Sequence, residues 1–265
     1  MLRSSRRLAV ALSASALLLG GTARAQDAAI QVPPMFNPPP PDLGSPATSG
    51  TRSHMANRGL QVGVRTGYGA GAGIVYSGLN VKDASSGGIP VIVDLGVRAL
   101  PQLYAGIYGG WSSIFTKNNA VSCPDDLDCK TQQWRFGVQF DFHYAPTSKL
   151  DPYIGLGGGY EILHTHISGP VPIPTPLGTL AGTTDTSIID RGWEFANLTL
   201  GFDARINRGV GLGPFVSASL NEYGVHSGTE RASIMGTQVV AMPVPTVNHG
   251  LHELFFAGVR ATFNP

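Results

Sequence analysis

Residues 134–144 alternate without a single exception. Trp134, Phe136, Val138, Phe140, Phe142 and Tyr144 occupy one frame, and Arg135, Gly137, Gln139, Asp141 and His143 occupy the other. Successive side chains of a strand point to opposite faces, so these eleven residues make a strand with one apolar and one polar face. The length is also that of a tilted strand crossing a bilayer, about 9–11 residues.

Seven further segments repeat the alternation: residues 60–76, 91–98, 104–111, 153–162, 196–205, 212–221 and 254–263. In the first, Leu60, Val62, Val64, Tyr68 and Ile74 oppose Gln61, Arg65 and a run of alternate glycines. In the others the frame opposite the apolar residues carries Asp94 and Arg98, Tyr104 and Tyr108, Tyr153 and Glu161, Asp203 and Arg205, Phe215 and Asn221, and Phe256 and Arg260. Eight segments is an even count, as single-chain bacterial barrels require. The links between them alternate in length. Residues 100–102, 145–150 and 206–209 are brief, whereas residues 77–88, 117–131, 164–191 and 223–251 are long. Short periplasmic turns and long external loops have this pattern. The expected fold is therefore all-β, an eight-stranded antiparallel up-and-down transmembrane β-barrel with both termini in the periplasm. Trp111, Trp134 and Trp193 then fall near the outer ends of strands, with Tyr144 and Phe263 at the inner ends, where aromatic belts belong.

The N-terminus supports export. Arg3, Arg6 and Arg7 precede an apolar run over residues 8–19, and Ala23, Arg24 and Ala25 form a small-x-small cleavage site before Gln26. The run is short of the roughly 20 residues that span a bilayer as a helix, so residues 1–25 are expected to be a cleaved signal peptide. A barrel reaches its membrane unfolded, which favours the ordinary secretory route over a twin-arginine one. Residues 26–58, with Pro33, Pro34, Pro38, Pro39, Pro40, Pro41 and Pro46, are expected to be a proline-rich periplasmic tether, and residues 59–265 the barrel. No lipid-anchor cysteine follows the signal.

No later segment holds eighteen consecutive apolar residues, so a membrane-spanning mature chain must span as a barrel. Charged residues make up 13% of the chain, against about 25% in soluble domains. The lysines, Lys82, Lys117, Lys130 and Lys149, all lie outside the alternating segments. A soluble lipocalin-like barrel has a polar exterior and an apolar cavity. Here the polar frame is mostly glycine with one or two charged or amide residues per strand, which suits a narrow interior better than a soluble exterior. Arg65, Arg98, Arg135, Arg205 and Arg260 are expected to line a lumen network with Asp94, Gln139, Asp141, Glu161 and Asp203. A net charge of +1 without a basic cluster makes nucleic acid an unexpected partner.

The signal peptide, the eight alternating segments and the last strand, residues 254–263 with Gly258-Val259-Arg260 and terminal Phe263, resemble the small outer-membrane barrels related to outer membrane proteins A, X and W. The resemblance covers residues 60–263 and is architectural, without specifying a subfamily. It implies a C-terminal aromatic, Phe263, read by the barrel-assembly machinery, although Asn264 and Pro265 follow it here. It also implies outer-membrane lipid and lipopolysaccharide as surroundings. With no peptidoglycan-binding domain expected after the barrel, the resemblance does not imply an anchoring role like that of full-length outer membrane protein A.

Other constellations are weaker. Cys123 and Cys129 suit one short disulfide in an oxidising compartment, enclosing Asp125, Asp126 and Asp128. The acids suggest a calcium loop, but the Gly and distal Glu of a helix-loop-helix site are missing. His164, His166, His226, His249 and His252 lie in or beside external links without a metal-ligand spacing. His226 and Ser227 resemble the pair of the lipid A deacylases only in type, because adjacent strand residues face opposite ways. The glycines of residues 67–73 have no Walker lysine and belong to the lumen frame. No catalytic, cofactor or metal residues are therefore assigned.

The expected function is a non-enzymatic structural or surface-interaction barrel with a plugged lumen. The alternative is a porin-like channel for small or hydrophobic solutes, as outer membrane protein W is thought to be. The apolar external links around residues 171–177 and 234–242 either pack together as a lid or extend the strands beyond the membrane, or they offer a surface to a hydrophobic solute, lipopolysaccharide or another cell's surface. N-terminal sequencing of the protein extracted from membranes should begin at Gln26. A chain that still begins at Met1 would contradict the signal-peptide reading.

Overall fold

The computed structural model describes residues 58–76, 78–118, 123, 124, 126–175, 178–207, 209–245 and 250–265. The expected signal peptide, residues 1–25, lies outside them, as do the tether apart from Arg58, Asp125 and His249. Strand β1 (Gly59–Tyr76) is followed by β2 (Leu79–Asn80), the helical turn α1 (Val81–Ala84), β3 (Ser85–Leu100), β4 (Leu103–Thr116), β5 (Asp128–His143), β6 (Leu150–Thr175), β7 (Gly178–Arg205), β8 (Val210–Ile234), β9 (Thr237–Pro243) and β10 (Leu251–Phe263).

Eight of these strands close a ring. Consecutive antiparallel ladders run β1–β3–β4–β5–β6–β7–β8, and β10 bridges the ends by pairing with both β8 and β1. The seam is long and in register: Val62 meets Phe263 at one end of the β1–β10 ladder, and Gly73 meets His252 at the other. Closure leaves no free edge around the wall, which is the condition for a sheet to sit in hydrocarbon.

The alternation read in the sequence becomes an inside and an outside. On β5, Trp134, Phe136, Val138, Phe140 and Phe142 face outward and exposed, while Arg135, Gln139, Asp141 and His143 are buried within. Trp134 to Tyr144 covers ten residue steps, or about 26 Å along the barrel axis at about 3.4 Å per residue and a tilt of about 40°. That matches the height of a membrane-facing apolar band, about 25 Å.

The lumen glycines have a specific use. A Cβ on Gly137 or Gly159 would lie 2.7 Å from the Tyr108 hydroxyl, one on Gly106 would lie 2.3 Å from that of Tyr104, and one on Gly201 would lie 2.6 Å from that of Tyr153. The rings of Tyr104, Tyr108 and Tyr153 thus lie across bare backbone of their own or neighbouring strands. Alternate glycines make room for these rings.

The structure departs from the sequence reading at one end of the barrel. Residues 164–191 and 223–251 read as long links, with strand extension only one reading of residues 171–177 and 234–242; β6 and β7 in fact run 26 and 28 residues, and β8 runs 25. The β6–β7 ladder stays paired from Leu163–Asp190 to Thr175–Gly178, about 50 Å of strand beyond Tyr160 at about 3.4 Å per residue. Prolines at 170 and 172 suggest a loop, yet a strand accepts them on an open edge. They stand two apart, so both missing N–H groups fall on one side of β6. β5 stops pairing with β6 at Ser168 and leaves such an edge. With β9 paired to β8, the overhang forms a tall sheet, β5 to β9, on one side of the mouth. The opposite side, β10, β1, β3 and β4, ends low and carries β2 and α1.

Gly137→Ala would bring a Cβ within 2.3 Å of the Gly158 carbonyl and displace Tyr108. It should cost about 1–3 kcal/mol in urea unfolding followed by heat-modifiable gel mobility. Gly109→Ala, whose Cβ meets nothing within 4 Å, should unfold like the parent.

Candidate functional site: the lumen and the outer mouth

The lumen is filled by layers of paired charges. At the short-turn end Asp151 is the hub. It lies 2.5 Å from Arg205 Nη2, 2.9 Å from His143 Nδ1 and 4.0 Å from Arg98 Nη1, and it accepts a hydrogen bond from the Ala145 N–H at 3.1 Å. Arg98 also donates to Gln61 Oε1 at 3.0 Å and to the Pro101 carbonyl at 2.9 Å. One carboxylate thereby ties the start of β6 and the ends of β3, β5 and β7 together.

The middle layer joins strands far apart in the chain. Arg65 pairs with Asp94 at 2.6 Å and donates to Gln139 at 2.7 Å, while Arg260 pairs with Asp141 at 2.8 Å. The Arg260 guanidinium sits 4.6 Å above the Tyr153 ring. Above it, Arg135 pairs with Glu194, which also accepts from the Tyr108 hydroxyl and, at 2.7 Å, from Asn197 Nδ2. Arg135 reaches Ser219 Oγ at 3.2 Å and lies over the Phe256 ring. The top layer sets His252 Nε2 2.8 Å from Glu161 Oε1, with Gln133 donating to the same carboxylate at 2.9 Å and Tyr223 stacked on the imidazole at 4.5 Å.

All five expected lumen arginines are at most 5% exposed. Their partners differ in part from the expected set. Glu161 faces a histidine rather than an arginine. Asp203 is buried with its Oδ1 unpartnered and, among the described residues, within 4 Å of no cation. Asp151 and Glu194 take the arginines instead. Glu194 was out of reach of the alternation because β7 bulges between Glu194 and Ala196. Phe195 and Ala196 both face outward, and the frame reverses there. Extending the expected frame back from Ala196 would have placed Glu194 on the apolar side. Asp151 directly follows a short link, where a charge reads as ordinary turn chemistry. Two adjacent irregularities in the β6–β7 and β7–β8 ladders are the signal, and only pairing reveals them.

Buried, paired charges inside and a continuous apolar exterior outside invert the arrangement of a soluble barrel. This is the architecture of an outer-membrane β-barrel. The barrel's disulfide joins Cys123 and Cys129, Cα atoms 6.0 Å apart, and Asp128 in that loop pairs with Lys130 at 2.8 Å. His226 and Ser227 face opposite ways: His226 Nδ1 lies 2.5 Å from Asp190 Oδ1, whereas Ser227 donates to the Ile189 carbonyl at 3.4 Å. His164 Nε2 instead meets Ser187 Oγ at 3.0 Å, exposed on the tall sheet. Among the described residues no group of three or more His, Cys, Asp or Glu is placed to hold a metal.

No protein-family model and no curated protein matches the chain. Among solved structures it is similar to the outer membrane protein OprG from Pseudomonas aeruginosa, at 11% identity over 80% of this chain and 100% of that one, with a TM-score of 0.43. A major outer membrane protein from Thermus thermophilus shows 11% identity over 77% and 98%, with a TM-score of 0.44. Neisserial surface protein A shows 12% identity over 76% and 95%, with a TM-score of 0.40. The barrel assignment rests on the closed hydrogen-bonded ring and its inverted faces rather than on these superpositions.

Arg135→Met leaves Glu194 buried without its cation and should cost about 3–5 kcal/mol in urea unfolding from lipid vesicles. Arg135→Met combined with Glu194→Gln should recover most of that loss. Equal destabilisation by the single and double variants would show that the pair contributes nothing of its own.

Proposed function

We propose that this protein is an integral outer-membrane barrel with a plugged lumen whose function is exerted at its outward surface. The observation that carries the reading is the continuous stack of paired charges, from Asp151 at the short-turn end to Glu161 and His252 below the mouth. Ions entering such a lumen meet buried guanidinium–carboxylate pairs and tyrosine rings rather than a water column.

On this reading both termini are periplasmic, residues 1–25 are removed on export, residues 26–58 tether the barrel, and Phe263 is the residue read by the assembly machinery. Phe263 is half exposed on the outer face at the end of β10, where a receptor strand can reach it. The surface role falls to the tall sheet. Leu180, Met235, Val239, Val240 and Met242 are exposed on it. Apolar residues gathered on a projecting sheet favour contact with lipopolysaccharide or another cell-surface partner. The channel alternative has the plug against it.

Planar-bilayer recordings of the folded protein test the reading. The parent should give no resolved channels, while Arg65→Ala combined with Arg135→Ala and Arg260→Ala should open measurable conductance. Stable, ion-selective steps from the parent would overturn the plugged reading.

A further inference from the structure

Above the plug, the low side of the mouth encloses a cavity of about 200 Å³. Its walls include Val75, Leu79, Val81, Ile114, Leu254 and Phe256. The turn formed by β2 and α1 makes the lid side, and it closes in because Gly71 has no side chain. A Cβ there would stand 2.3 Å from Val81 Cγ1. The inner face of the tall sheet closes the far wall with Leu163, Thr165, Ile167 and Ile188.

Two groups of the lining keep buried polar atoms without a hydrogen bond: the Gln133 amide oxygen, and His252, 1% exposed, both of whose ring nitrogens are unbonded although Nε2 stands 2.8 Å from Glu161 Oε1. An amide oxygen accepts only, and an imidazole that keeps its one proton on the nitrogen beside a carboxylate leaves Nδ1 as an acceptor. The other titratable groups of the wall are engaged: Asp190 holds His226, and the Tyr76 ring packs against that histidine at 5.8 Å. An occupant must therefore bring a hydrogen-bond donor on an apolar body. A carboxylate would enter beside Asp190, and an ammonium would exchange its hydration for a carboxylate already held by His226 among otherwise apolar walls. A hydroxyl satisfies the acceptor without either penalty.

Size narrows the class further. An apolar cavity of about 150 Å³ holds benzene, so about 200 Å³ admits a ring with two or three further heavy atoms. We propose that the mouth cavity binds a small apolar alcohol or phenol, its body among Val75, Leu79 and Phe256 and its hydroxyl donating to His252 Nδ1. The charge stack is the floor of the cavity, so the site captures its ligand from outside and does not pass it on.

The test uses the full chain in phosphatidylcholine nanodiscs, titrated with 4-ethylphenol and separately with 4-ethyltoluene, in which a methyl replaces the hydroxyl at the same heavy-atom count and no donor remains. The His252 Nδ1 nitrogen resonance and the methyls of Val75, Leu79 and Leu254 report binding on the protein itself. The expected result is saturable shifts, with the phenol bound about tenfold more tightly, the worth of one buried hydrogen bond. His252→Phe keeps an aromatic against Tyr223 and should bring the two ligands to equal affinity. Leu254→Trp fills the cavity and should abolish both titrations, with heat-modifiable mobility showing that each variant has folded. No saturable shift in the parent, equal affinities in the parent, or undiminished binding by Leu254→Trp would each overturn the proposal. Bilayer conductance is unaffected by any of these outcomes, so the plugged reading stands or falls separately.

Discussion

The closing ladder between β10 and β1 is the contact on which every other feature depends. A backbone group with no water to bind must find another backbone group, and a sheet meets that demand only by joining its own ends. The last strand does so by pairing along its whole length with β8 on one side and β1 on the other. Closure then fixes the rest. Eight strands enclose an interior wide enough for side chains alone, and the alternating frame sends the apolar set outward together.

The lumen is lined by glycine and charge, and the two are packed through tyrosine rings. Glycines on β3, β4, β5, β6 and β7 provide flat backbone on which Tyr104, Tyr108 and Tyr153 lie. The rings in turn hold the guanidinium groups: Tyr153 lies beneath Arg260, and Tyr108 shares Glu194 with Arg135. Buried ion pairs are costly to desolvate and add little net stability over a well-packed apolar core. In a barrel whose exterior is apolar, they serve a different end. They tie distant strands, such as Asp141 on β5 to Arg260 on β10, and they mark which face is inside.

Much of this was legible in the sequence because a two-residue period is a direct record of facing. The frame of residues 134–144 and the arginines at 65, 98, 135, 205 and 260 could be assigned to one side before any pairing was known. Three things could not. Glu194 was hidden by a bulge that reverses the frame at Phe195 and Ala196, and a local pattern does not register an inserted residue. Asp151 looked like turn chemistry because its partners come from β5 and β7. The tall sheet stayed one alternative among others, because Pro170 and Pro172 read as loop until an unpaired strand edge is available to receive them. His252 was noted among scattered histidines, but its role as the floor of a cavity depends on β2 and α1, a segment without any periodic signal.

The two sides of the mouth divide the surface between them. The tall sheet presents exposed apolar side chains, and a small cavity lies between its inner face and the low side. Both depend on the inverted barrel, with its apolar face in lipid. Intermolecular nuclear Overhauser effects in lipid nanodiscs measure that directly. The account predicts contacts from lipid acyl chains to the methyls of Ile107, Val138, Leu200, Val216 and Val259, and none to those of Ile92 or Thr199 inside the wall. Water contacts along the first set, with acyl-chain contacts missing, would contradict it.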